Sequence, residues 1–156
     1  MRTAIGGAMI KGLLAEHGLW LRRGFAGLIL SAVTYLSLAD SDGMRQHEVL
    51  HLLVRIYRAT GIVMDKQVHA AMYFAVCGAL WLAMRHQPKG WPTPLKAWLM
   101  ATGWGVLMEF AQLAETALGL GQRGFDVADM AANACGAAAA ALLCALWLGA
   151  VRGLRR

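Results

Sequence analysis

Apolar residues run in four long blocks along the chain, at about 20–39, 67–84, 97–118 and 128–151, with short polar stretches between them. Each block has roughly the 17–25 residues that cross about 30 Å of hydrocarbon. Only a helix satisfies its own backbone in that medium, so each is predicted as a transmembrane helix. Counted from Gly24 to Ala39, after the basic leader, the first block is the shortest. It reaches back to residue 20 only if Arg22 and Arg23 snorkel out of the apolar layer. The expected fold is all-α: a polytopic membrane protein with four transmembrane helices in a small bundle, as a single domain over residues 1–156. The Gly-rich residues 1–18 yield no predicted element.

The stretch from Asp40 to Met64 has its own pattern. Val49, Leu50, Leu53, Ile56 and Tyr57 fall at helical spacing, with Arg45, Glu48, Arg55 and Arg58 on other faces. This predicts a short amphipathic helix between the first two spans, either lying on the outer interface or packed over the bundle mouth.

Composition narrows the class. Hydrophobic residues make up 58% of the chain and charged ones only 15%, against about 25% charged in soluble domains. So small a soluble domain cannot hide that much apolar surface, and disorder requires the opposite balance. The net charge of +6 first suggests a nucleic-acid partner, but its distribution gives it another meaning. Ten of the fifteen basic residues precede the first block, separate the second from the third, or follow the fourth. Basic residues gather on the cytoplasmic side, so both termini are expected inside. Trp20, Trp81, Trp91, Trp98 and Trp147 fall near the inner ends, as an aromatic belt does. Pro88, Pro92 and Pro94 share the inner loop, where they break no span.

Two further features carry little. Ser37-Leu38-Ala39 resembles a signal cleavage site, but the basic leader before it is long for a cleaved signal. Cys77, Cys135 and Cys144 lie in apolar stretches without metal or redox spacing, and Cys135 is expected as a packing residue. No groove-reading module accompanies Arg152, Arg155 and Arg156, so no nucleic-acid partner is expected. They are orientation signals that touch anionic inner-leaflet lipid.

The candidate chemistry lies in polar residues inside the blocks. An ionisable group at the centre of a membrane helix costs about 2.5–3.5 kcal/mol on insertion scales, which makes it a functional candidate. Asp65, Lys66, His69 and Tyr73 open the second helix. Glu109 and Gln112 lie in the third, and Arg123, Asp126, Asp129 and Asn133 lead into the fourth. At about 1.5 Å per residue, His69 is roughly 6 Å and Tyr73 roughly 12 Å from the outer end, while Glu109 is about 20 Å above Lys96. At about 100° per residue, each set also shares one helix face. The three stripes are therefore expected to face one another in the outer leaflet.

These residues carry a resemblance. Asp65-Lys66-x-x-His69-x-x-x-Tyr73-Phe74, then Glu109-x-x-Gln112, then Arg123-x-x-Asp126-x-x-Asp129-x-x-x-Asn133-x-x-Gly136 resembles the VanZ-like family. The match covers residues 65 to about 136, and the first helix matches only by position. The Gln122-Arg123-Gly124 stretch departs from the proline-containing loop common in that family. The resemblance implies a small polytopic protein of the bacterial cytoplasmic membrane, in a family named for teicoplanin resistance. It supplies no reaction.

Three readings of the polar cluster follow. One is a purely structural lock between helices, although measured interhelical polar contacts average only about 0.6 kcal/mol. The favoured reading is a pocket for a phosphate-bearing lipid head group or lipid-linked glycan, or for an envelope-assembly protein partner. Lys66 and Arg123 would meet the phosphate, with Tyr73, Gln112, Asp126, Asp129 and Asn133 lining the site. The third is a membrane enzyme, with His69 oriented by Asp65 as general base and Glu109 as acid. The carboxylates and His69 also resemble a divalent-cation set. Lys66 and Arg123 already compensate them, however, so no cofactor or metal is expected.

Overall fold

The computed structural model describes residues 2–38, 64–85, 93–120 and 124–154, with side chains from residue 16 in the first segment and residue 66 in the second. The described residues form helices and contain no strand. Helix α1 spans Arg2–Leu38, α2 Met64–Met84, α3 Thr93–Ala117 and α4 Val127–Gly153. The expected amphipathic helix of residues 40–64 lies almost wholly outside the described residues, as do Pro88, Pro92 and Trp91.

Helix α1 corrects the expectation for the N-terminus. It starts at Arg2 rather than near residue 20. The glycines of this segment each cost about 1 kcal/mol relative to alanine, but Ala, Ile, Met, Lys, Leu and Glu around them sustain the helix. Its 37 residues reach about 55 Å, well beyond a hydrocarbon core. Helix α3 begins earlier than expected as well. Pro94 sits buried in its first turn rather than in the loop, where its missing N–H is no loss.

Two helices, α2 over Lys66–Met84 and α4 over Val127–Gly153, are long and apolar enough to cross a membrane. Helix α4 is not the interior helix of a soluble fold. Leu142, Leu143, Leu146 and Trp147 are each more than half exposed along it. Such a run of large apolar side chains suits a lipid-facing surface.

The interior is one stripe per helix. Tyr73, Val76, Cys77 and Trp81 of α2 meet Ala97 and Ala101 of α3, Ala137 and Ala140 of α4, and Val33 of α1. Helix α2 packs mainly on α4, with α3 against both, while α1 lies on α2 and more lightly on α3. Within each stripe the residue type changes along the axis. The end formed by the starts of α2 and α4 and the finish of α3 is polar, with buried His69, Glu109, Gln112, Asp129 and Asn133. The other end is apolar, with Trp81 of α2 among the small residues Ala97, Ala101 and Ala140.

Two glycines set the spacing. A Cβ on Gly136 would stand 1.9 Å from the Ala70 carbonyl oxygen of α2, so the backbones of α2 and α4 touch there. A Cβ on Gly105 would stand 3.0 Å from the Tyr73 ring and 3.1 Å from the Asn133 amide. Small residues of this kind let membrane helices approach closely.

The tryptophans do not all form a belt. Trp20 and Trp147 are exposed, but Trp81 is buried. Trp98 donates from Nε1 to the Ala134 carbonyl at 3.3 Å, and Trp104 donates to Thr34 Oγ1 at 3.1 Å. Their indoles tie α3 to α4 and to α1. Cys135 is exposed rather than packed.

Gly136→Ala is expected to lower the thermal midpoint of the detergent-solubilised protein, because a backbone carbonyl cannot move aside. Overpacking of this kind costs about 1–3 kcal/mol or more. Gly103→Ala, with nothing within 4 Å of its Cβ, is expected to hold or raise the midpoint. Circular dichroism melts of the two variants check the contrast.

Candidate functional site

The polar end is built from three helix termini. Helix α3 stops where the chain turns at Gly119, whose φ of +69° suits glycine. The N–H of Gly119 donates to the Thr116 carbonyl and that of Leu120 to the Glu115 carbonyl, a pairing that closes a helix C-terminus with a left-handed residue. The chain then reaches α4, with the Phe125 ring 5.6 Å from that of Phe110.

Asp126 begins α4 as its N-cap. Its backbone is extended, and its carboxylate accepts from the Ala128 N–H at 2.7 Å, satisfying a donor that the helix leaves unpaired. Its own N–H donates to Glu109 Oε2 at 3.1 Å. Its second carboxylate oxygen accepts from Lys66 at 2.5 Å. The Lys66 ammonium, and then the Ala128 N–H, hold this carboxyl below the usual carboxylate range.

Lys66 is shared. Its ammonium also donates to Asp129 Oδ1 at 2.5 Å, so one cation in α2 holds two carboxylates at the start of α4. One helical turn deeper, His69 Nδ1 lies 3.1 Å from Asn133 Oδ1, and Nε2 lies 3.6 Å from Asp129 Oδ2. Glu109 enters from α3 and is fully buried. His69, Glu109 and Asp129 each bring one potential metal-ligand atom within 4.8 Å of the others, and all three are buried. Among the described residues, these are the ones that can hold a cation.

Three buried polar atoms in this region have no hydrogen-bond partner among the described residues: Tyr73 Oη, Asn133 Nδ2 and Glu109 Oε1. An unmatched buried donor or acceptor costs about 1–3 kcal/mol. Tyr73 and Asn133 meet at Gly105, which lies one turn below Glu109 on α3. The orphaned groups therefore belong to one region.

The structure brings together Lys66, His69, Tyr73, Glu109, Asp126, Asp129 and Asn133. It directs Gln112 elsewhere: its Nε2 donates to the Ser37 carbonyl of α1 at 2.8 Å. Glu109 and Gln112 are neighbours on α3, but their faces diverge enough for one to meet α4 and the other α1. Asn133 and Asp129 of α4 flank the ring nitrogens of His69. The side chain of Asp65 and all of Arg123 lie outside the described residues. The sequence suggests Gly105 only as a close-packing residue and does not place Ser37 near the site. Ser37 is buried at the end of α1, and a polar residue at that level was the available signal.

Lys66→Met is expected to leave Asp126 and Asp129 facing each other without a cation, and so to lower the thermal midpoint. Lys66→Met combined with Asp126→Asn is expected to recover part of the loss, because removing one partner of a charge pair costs more than removing both. Melting curves of the single and double variants, at matched detergent and salt, check this; equal midpoints would show that the ion pairs contribute nothing. Comparison of the chain with protein-family models, with curated proteins and with solved structures finds no match.

Proposed function

We propose that this chain is a four-span protein of the bacterial cytoplasmic membrane, with both termini in the cytoplasm and its polar pocket in the outer leaflet. The pocket binds the oxygen-rich head of an envelope component: a phosphate-bearing lipid or a lipid-linked glycan. This role agrees with the resemblance to VanZ-like proteins and extends to a contribution to teicoplanin-type glycopeptide tolerance.

The supporting observation is the pair of buried donors, Tyr73 Oη and Asn133 Nδ2, without acceptors among the described residues. Polar networks in a low-dielectric interior are costly when half satisfied. A guest that brings acceptor oxygens removes that cost. Phosphate oxygens and glycan hydroxyls both qualify. Lys66, partly exposed at the margin, is already bonded to Asp126 and Asp129. It therefore acts on a phosphate as the positive edge of a compensated cluster rather than as an unopposed charge. Gln112, bonded to Ser37, holds the wall of the pocket rather than its guest.

A catalytic reading stands second. Its specific support is the position of His69 between Asn133 and Asp129, close to Glu109. An imidazole oriented on both sides near a buried carboxyl is the arrangement that general acid–base chemistry requires.

Two measurements test the proposal. In a cysteine-free background, Asp42→Cys is expected to label with an impermeant thiol reagent from outside whole cells, and Gly90→Cys only after permeabilisation; the reverse pattern overturns the orientation. In native mass spectrometry of the purified full chain with added polyprenyl-phosphate-linked glycan, retention is expected to fall at least about ten-fold in Tyr73→Phe and Asn133→Leu. That corresponds to about 1.4 kcal/mol, the scale of one buried hydrogen bond. Unchanged retention in both variants overturns the binding reading.

A further inference from the structure

We infer that His69, Glu109 and Asp129 form a binding site for one divalent transition-metal cation, zinc being the natural occupant. The inference rests on how each side chain divides its atoms. Glu109 gives Oε2 to the Asp126 N–H, while Oε1 is fully buried without a partner. Asp129 gives Oδ1 to Lys66, while Oδ2 faces His69. His69 places Nδ1 against the Asn133 side-chain carbonyl, while Nε2 faces Asp129. In every case a neighbour holds one atom, and one ligand atom from each of the three side chains lies within 4.8 Å of the others. Metal-ligating histidines and carboxylates are held in this way, with the second atom hydrogen-bonded to set orientation and basicity.

The distances fit. Zinc binds imidazole nitrogen and carboxylate oxygen at roughly 2.0–2.2 Å, which in a tetrahedron separates ligands by roughly 3.4 Å. The 3.6 Å between His69 Nε2 and Asp129 Oδ2 already has that length. The whole set lies within 4.8 Å, so Glu109 needs only a small side-chain rotation to complete the face. Three protein ligands leave a fourth position for water or a ligand oxygen, the pattern of zinc sites that act on something. One imidazole among the donors favours zinc over magnesium or calcium, which take oxygen ligands.

Charge provides an independent reason. The sequence weighs against a cation because Lys66 and Arg123 offset the acids; Arg123 lies outside the described residues. The structure gives Lys66 to Asp126 and Asp129, and it leaves Glu109 beside Asp129 without a bonded cation among the described residues. Among the described residues, the carboxylates of Asp126, Asp129 and Glu109 stand around the one ammonium of Lys66. A divalent cation adds positive charge where ligand atoms of His69, Glu109 and Asp129 lie within 4.8 Å of one another. Tyr73 and Asn133 would then donate to whatever oxygen takes the fourth position.

The test uses the full chain in detergent, stripped with chelator and titrated with zinc alone against a chromophoric competitor. One zinc per chain is expected. His69→Gln and Glu109→Gln are expected to weaken it at least about 100-fold, and Asn133→Leu by the roughly 10–100-fold usual for loss of an outer partner. Glu115→Gln and His17→Gln, away from the cluster, are expected to bind as the parent does. Cobalt substitution of the unmodified chain adds a readout that needs no variant: intense visible bands of a four-coordinate site with nitrogen and oxygen ligands. Absence of stoichiometric zinc in the parent, binding unchanged in His69→Gln and Glu109→Gln, or a six-coordinate cobalt spectrum overturns the site. Because metal alone is titrated, failure here leaves the lipid-head-group reading to its own experiment.

Discussion

The fold turns on one requirement: charges set at the end of apolar helices must meet their opposites. Lys66 answers it for two carboxylates at once. Because it bonds both Asp126 and Asp129, it fixes the first turn of α2 against the first turn of α4. The two helices then run side by side in the same direction, and each deeper contact follows from that register. His69 reaches Asn133 one turn down, and Ala70 meets Gly136 just beyond. A side chain at position 136 would push the backbones apart and lengthen the ion pairs above it. Glycine and lysine thus act on the same interface from different depths.

Helix α3 joins this pair through a different kind of bond. Glu109 accepts the N–H of Asp126, a backbone donor at the start of α4 where the dipole of the helix also favours negative charge. Asp126 is consequently a junction. Its backbone binds α3, its carboxylate caps α4, and its other oxygen binds α2. The aromatic pair Phe110–Phe125 holds the connecting strand of chain close to α3, so the junction is braced by apolar contact as well. Helix α1 stands apart from the cluster and is tied in by Gln112 to Ser37 and by Trp104 to Thr34.

Much of this was legible from helix geometry. A rise of about 1.5 Å and a turn of about 100° per residue place His69, Glu109, Asp129 and Asn133 at one level and on inward faces, and the structure brings those four together. Periodicity cannot say which polar atom meets which. Gln112 lies within about 60° of Glu109 on the α3 circumference. That separation is too small to distinguish from sequence, yet large enough to turn Gln112 to α1. Lys66 reads equally well as a phosphate ligand or an internal counter-ion, because pairing depends on the side-by-side register of α2 and α4. Helix α1 was misjudged at its start for a related reason: glycine lowers helix propensity locally, but a long run of good helix formers outweighs it. Trp81 and Trp98 show the limit of the aromatic-belt rule, which fixes depth and not direction.

A bundle this thin has no separate layer in which to place its supports. The residues that align the helices are therefore the residues of the polar cluster, and the structure resolves the conflict atom by atom. Glu109, Asp129 and His69 each use one polar atom to hold a neighbouring helix and keep another for the interior. Truncating any of them removes both functions together, so loss of activity on such a change says little about chemistry. Isosteric changes separate the two. An amide at Glu109 retains an oxygen for the Asp126 N–H while removing the charge, and an amide at Asp129 still accepts from Lys66. A purely structural lock tolerates those changes because the fixed half of each side chain is preserved. A site that uses the inward half does not. The distinction between scaffold and function in this protein therefore lies between two atoms of the same side chain.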